Sequence, residues 1–102
     1  MREIRYSRTF YAELAALLEQ GIDRFGPKVV AEKRAKVLDT ISNFLVHHPV
    51  RTADAIIGKC AYHVTGTPFL LIYDYDDAEL RIHLVVHASA DRKPFDPASV
   101  EW

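Results

Sequence analysis

The sequence predicts an α+β domain of order β-α-α-β-β-β, with a helix hairpin packed on one face of a small, mainly antiparallel sheet. Three observations predict it. Apolar residues recur at steps of three and four through the first half of the chain, then at steps of two through the second. Gly-Pro and Pro punctuation cuts the helical half into two arms. A length of 102 residues suits one domain, residues 1–102, around a single core.

The first element is a short strand, where Ile4 and Tyr6 alternate with Glu3 and Arg5. Ser7 is placed to cap the helix that follows. Phe10, Leu14, Leu17, Leu18, Ile22 and Phe25 form its apolar stripe, with Glu13, Glu19, Gln20 and Asp23 outside it. Gly21 weakens its last turn by roughly 1 kcal/mol relative to Ala. "FGPK" then breaks the helix, Gly26 taking the left-handed position and Pro27 opening the next arm. The second arm is predicted from about Pro27 to Val46, with Val30, Val37, Ile41, Phe44 and Leu45 inward. "HHP" ends it, because Pro49 disfavours helix at His48.

Turn chemistry sets the strand register. In "VTGTPF", a two-residue Gly66-Thr67 turn pairs Val64 with Phe69, His63 with Leu70, Tyr62 with Leu71 and Cys60 with Tyr73. In "YDYDDAEL", closing Tyr75 on Leu80 pairs Asp74 with Arg81, Tyr73 with Ile82 and Ile72 with His83. Period two then separates two faces. The core face holds Tyr62, Val64, Phe69, Leu71, Tyr73, Tyr75, Leu80, Ile82, Leu84 and Val86. The second face holds Lys59, Ala61, His63, Leu70, Ile72, Asp74, Arg81, His83, Val85 and His87. Lys59, Asp74 and Arg81 form a cation-anion-cation row on it. Ala61, Leu70, Ile72 and Val85 are too apolar for bare water, so the tail 93–102 or a partner is expected to cover them. In that tail, Asp96 caps a turn with Pro97 first, and Val100 and Trp102 fold back.

Composition narrows the functions. Net charge is −1, divided as +2 over residues 1–48 and −3 over residues 49–102. Nucleic-acid binding needs a strong basic field, so direct binding is not expected. No apolar run spans a membrane, the opening "MREIRYSRTF" lacks a signal-peptide core, and Cys60 is the only cysteine, so a cytosolic protein is expected. The five histidines do not read as a metal site. His83 and His87 lie about 13 Å apart along a strand, while metal ligands stand about 2 Å from the ion. Acid–base cleavage of RNA is the one enzymatic scheme with suitable residue types, and His83, His87 and Arg92 would carry it. They are spread over the sheet and do not converge, which favours binding.

The element order, the size and the run "TPFLLIYDYDDAELRIHLVVH" followed by "DR" resemble the RelE/ParE toxin superfamily of bacterial type II toxin–antitoxin systems. The ending "DPASVEW" is similar to the tails of some ParE-like members. RelE-like members cleave messenger RNA on the ribosome, whereas ParE-like members inhibit DNA gyrase without a reaction of their own. RelE-like members carry arginines where this chain has Leu70 and Ala90, lysines where it has His63 and Thr65, and a late tyrosine absent from "KPFDPASVEW". Many ParE-like members carry paired arginines where Ser89-Ala90 stand.

The resemblance therefore implies a ParE-like toxin in the bacterial cytoplasm that binds gyrase and uses no cofactor. A cognate ParD-like antitoxin would neutralise it in a hetero-oligomer. The alternatives are a RelE-like mRNA endonuclease and a degenerate member that only binds antitoxin. The expected contact surface is the second face, with Leu70, Ile72 and Val85 as its apolar part and His63, His83 and His87 around it. Lys59, Arg81 and Arg92 are expected to meet the partner's acidic residues.

Overall fold

Gly26 decides the shape of the helical half. In the computed structural model, which describes residues 2–102, it is the one residue inside α1 (Arg8–Thr40) with non-helical torsions, φ 82° and ψ 162°. A side chain is strained at that φ, so glycine is the residue that fits. The two arms fold back on each other as predicted. A Cβ built on Gly21 would lie 3.4 Å from Cγ2 of Val30, a closeness that a straight helix could not bring about. The weakening expected at Gly21 does not interrupt the helix. Gly21 stays helical, facing Val30 of the second arm. The second arm runs into a wider π-helical turn, Ile41–Leu45.

The sheet contains β1 (Glu3–Tyr6), β2 (Cys60–His63), β3 (Phe69–Tyr75) and β4 (Glu79–His87), in the order β1-β4-β3-β2. β1 lies parallel to β4, and the other pairs are antiparallel. The hairpin stripe packs on one face. Phe10, Val37, Ile41 and Leu45 are fully buried there against Val64, Leu71, Tyr73, Leu80 and Ile82. Three residues expected in that stripe are exposed instead: Ile22, Phe25 and Phe44. Ile22 and Phe25 lie at the hairpin tip next to the Gly26 break.

The β2–β3 register matches the expected one, from Cys60↔Tyr73 to His63↔Leu70. The turn itself is different. Thr67 N donates to Val64 O at 3.1 Å, so Gly66 is the third residue of the turn, with φ 79°. The β3–β4 pairing starts as expected with Tyr75↔Leu80, Asp74↔Arg81 and Tyr73↔Ile82. It then shifts by one, giving Ile72↔Leu84, Leu71↔Val85, Leu70↔Val86 and Phe69↔His87. His83 is the extra residue, a β-bulge.

The bulge exchanges the faces of everything after it. Val85, expected on the second face, is 1 % exposed inside the hairpin core. Leu84 and Val86, expected in that core, pack on the second face with Ile57, Leu70 and Ile72. His87 crosses to the hairpin side, opposite Phe69. A strict alternation from the turn cannot foresee this, because one inserted residue inverts the period.

Beyond Tyr6, β1 stops and the edge of β4 is covered by side chains. Ser7 Oγ donates to His83 O at 2.6 Å and accepts from Phe10 N at 2.8 Å, so it caps α1 and secures the bulge together. Glu13 Oε1 accepts from Val85 N at 3.2 Å. Among the described residues, no helix is long and apolar enough to cross a membrane.

Ser7→Ala removes both bonds at a buried site. Urea unfolding should show a loss of about 1–2 kcal/mol. An unchanged midpoint would mean that the cap carries no stability.

Candidate functional site

The second face is where most of the residues singled out from sequence meet, around Asp74. Its Oδ2 accepts from Lys59 Nζ at 2.9 Å and its Oδ1 from Arg81 Nε at 2.5 Å. The predicted ladder therefore exists, and it is closed on itself. Arg81 also reaches Asp76 and Glu79, each at 2.9 Å. Burial pushes the Asp74 carboxyl up, but hydrogen bonds from Lys59 and Arg81 and the nearby His83 outweigh it and hold it at about 2. Hydrogen bonds donated to Asp76 and Glu79 raise the Arg81 guanidinium further, so it is permanently charged.

His83 projects from the bulge onto this cluster. It is 7 % exposed, with Nε2 3.0 Å from Asp74 Oδ2. That distance gives an electrostatic attraction, but neither ring nitrogen makes an aligned hydrogen bond among the described residues. Phe95 and Trp102 close over the imidazole edge-to-face, at 4.9 and 5.1 Å between centroids.

Leu70 and Ile72, each 5 % exposed, form the apolar floor beside it, with Ile57, Ala61, Leu84, Val86 and Phe95. Above this floor lies a cavity of about 630 Å3, walled by Glu13 and by the chain from Ala90 to Asp96. Burial pushes the Glu13 carboxyl up, against the bond from Val85 N. The tail 93–102 crosses this face as expected. Asp96 accepts from Ala98 N at 3.0 Å and caps the short 3-10 turn Pro97–Ser99. Glu101 O accepts from Arg8 N at 2.7 Å, tying the tail to the start of α1.

Other predicted residues stand apart. Arg92 is ion-paired with Asp54, whose carboxylate also accepts from Ile56 N and Ile57 N. His63 is exposed at the β2–β3 turn, with Nε2 2.6 Å from Thr67 O. His87 lies on the hairpin side, where its Nδ1 accepts from Ser89 N at 3.1 Å. His83 and His87 are therefore on opposite faces, and His83, His87 and Arg92 do not form one acid–base group. Val85 is buried in the core and offers nothing to a partner on the second face.

Sequence reasoning missed Glu13, Asp54, Phe95 and the pair Leu84/Val86. Phe95 carried a signal, as an aromatic between two prolines in a mostly polar tail. Leu84 and Val86 carried none, because only the bulge moves them.

No family model and no curated protein matches the sequence. Among solved structures, a chain of the chromosomal ParDE TA system from P. aeruginosa has the same fold. The TM-score is 0.72 at 15 % identity, covering 85 % of this chain and 96 % of that one. The α+β fold is therefore that of the RelE/ParE type.

Asp74 binds its proton less readily folded than its ordinary value of 3.8. Its contribution is present above that pH and is lost as pH falls toward 2. Asp74→Asn should remove this acid-dependent step from a plot of melting temperature against pH. A variant with the same acid slope as the parent would show that other carboxylates set it.

Proposed function

We propose that the chain is the toxin of a bacterial type II toxin–antitoxin pair, acting in the cytoplasm by binding DNA gyrase and silenced by a ParD-like antitoxin. The likeness in fold to a chain of a ParDE system supports the toxin–antitoxin part. The observation that carries the binding part is the lining of the second-face cavity. Leu70 and Ala90, the positions where the resemblance to RelE-like members expects arginines, both border it. Transition-state stabilisation of a phosphate needs free, preorganised cations. Here Arg81 and Lys59 are held by Asp74, and Arg92 by Asp54. An apolar floor on which Lys59, Arg81 and Arg92 are ion-paired, leaving Lys93 as the cavity-wall cation with no ion pair among the described residues, suits protein contact better than phosphate chemistry.

The antitoxin would engage the chain with a segment that orders on binding. Leu70 and Ile72 remain the proposed apolar contacts, with His63 and His83 beside them. Lys59, Arg81 and Arg92 can meet partner carboxylates only by exchanging the internal ones.

Expressed alone, the chain should arrest bacterial growth, and co-expression of the protein encoded beside it should restore growth. The purified chain should block gyrase supercoiling and leave message intact in a translation extract. Cleaved message with normal supercoiling would sink the gyrase reading in favour of an RNA-cleaving enzyme. Absence of arrest would mark a chain that only binds antitoxin.

A further inference from the structure

The segment 93–102 is held at its ends and crosses a void in its middle. At one end Phe95 N donates to Ile57 O at 2.9 Å, and Lys59 stands over the Phe95 ring at 5.4 Å. At the other, Glu101 N donates to Thr9 Oγ1 at 2.8 Å, and Arg5 stands over the Trp102 ring at 4.8 Å. Between these anchors Asp96 and Ser99 border the cavity of about 630 Å3. His83 is the sheet residue on which both aromatic anchors rest.

The surroundings of His83 tolerate it neutral and resist it charged. Four charged groups face it or its two aromatic covers: Asp74 from β3, Lys59 from the loop before β2, Arg81 from β4 and Arg5 from β1. Among the described residues, Asp74 is the one carboxylate that reaches the imidazole, and Lys59 and Arg81 already occupy it, while Asp76 and Glu79 are turned to Arg81 and Arg5. A proton on the imidazole would add another cation at a site 7 % exposed to water. Opening the segment would hydrate that charge.

We propose that residues 93–102 form a pH-gated strap, closed over the second face while His83 is neutral and released when His83 takes up a proton. Burial pushes the His83 pKa down, Asp74 pulls it back, Lys59 and Arg81 push it down again, and it stays below 6.5. The closed form thus binds fewer protons than the open one. Closure is complete above pH 6.5 and weakens as pH falls below it. Release uncovers Leu70, Ile72, Leu84 and Val86, so the strap governs access to the apolar floor whatever protein binds there.

Trp102 is the only tryptophan and reports on the strap directly. Its emission should shift to the red between about pH 7.5 and pH 5 while far-ultraviolet circular dichroism holds constant. Protection of the Phe95 and Glu101 amides, corrected for intrinsic exchange, should fall as pH drops below 6.5, by at most about tenfold per pH unit for the one proton taken up. His83→Leu should keep strap protection at every pH, and Phe95→Ala should lose it at every pH. A parental pH step surviving in His83→Leu would overturn the proposal. Should that variant fail to fold, NMR titration of His83 in the unaltered chain decides. Titration below the ordinary histidine value supports the strap, and titration at or above it overturns it.

Discussion

His83 is one residue more than the β3–β4 pairing has room for, and most of the molecule's functional geometry follows from that insertion. Before it, Leu80 and Ile82 point into the hairpin core and Arg81 points to Asp74. After it, Val85 takes the core position, and Leu84 and Val86 join Leu70 and Ile72 on the second face. Without the insertion, the second face would carry Val85 and His87 in their place. The bulge leaves His83's own carbonyl to be met from outside the ladder, and Ser7 Oγ does so at the point where β1 ends and α1 begins. Start of helix, end of strand and bulge are thus one joint.

Charge on the second face is organised around a single carboxylate. Lys59, Arg81 and His83 converge on Asp74 from different elements. Each pair is partly exposed, so its net worth to stability is small against the apolar packing. Its effect is on availability. Lys59 and Arg81, which would otherwise greet a phosphate or an acidic partner, are already held, and Arg92 is held by Asp54 in the same way. Lys93 at the cavity wall makes no ion pair among the described residues, so this face offers shape and apolar contact first, and most of its charge by exchange.

The C-terminal segment relates these two features. Phe95 and Trp102 close over the bulged histidine, Lys59 and Arg5 stand over their rings, and Glu101 ties the end to α1. Its middle leaves a cavity unfilled above an apolar floor. Segments held by few contacts over unfilled space open more readily than the core beneath them. Opening of that segment would leave the helix-and-sheet scaffold in place and change only what its second face exposes.

By itself the sequence determined the element order, the hairpin break at Gly26, the Ser7 cap, the β2–β3 register and the Lys59–Asp74–Arg81 row. Each depends on residues close in the chain, so local chemistry was enough; the β2–β3 register holds although Gly66 is the third residue of the turn and not the first of a two-residue loop. It also indicated the folded-back tail, through Asp96-Pro97 and the apolar Val100 and Trp102. Tertiary structure decided the rest. The bulge has no mark in "LRIHLVV", where histidine sits as well in a regular strand as in an inserted position. Only the joint made by Ser7, the core that takes Val85 and the cluster that takes His83 select the shifted register. One residue of shift inverts a period of two, and so the faces of Leu84, Val85, Val86 and His87 were settled by packing between distant parts of the chain.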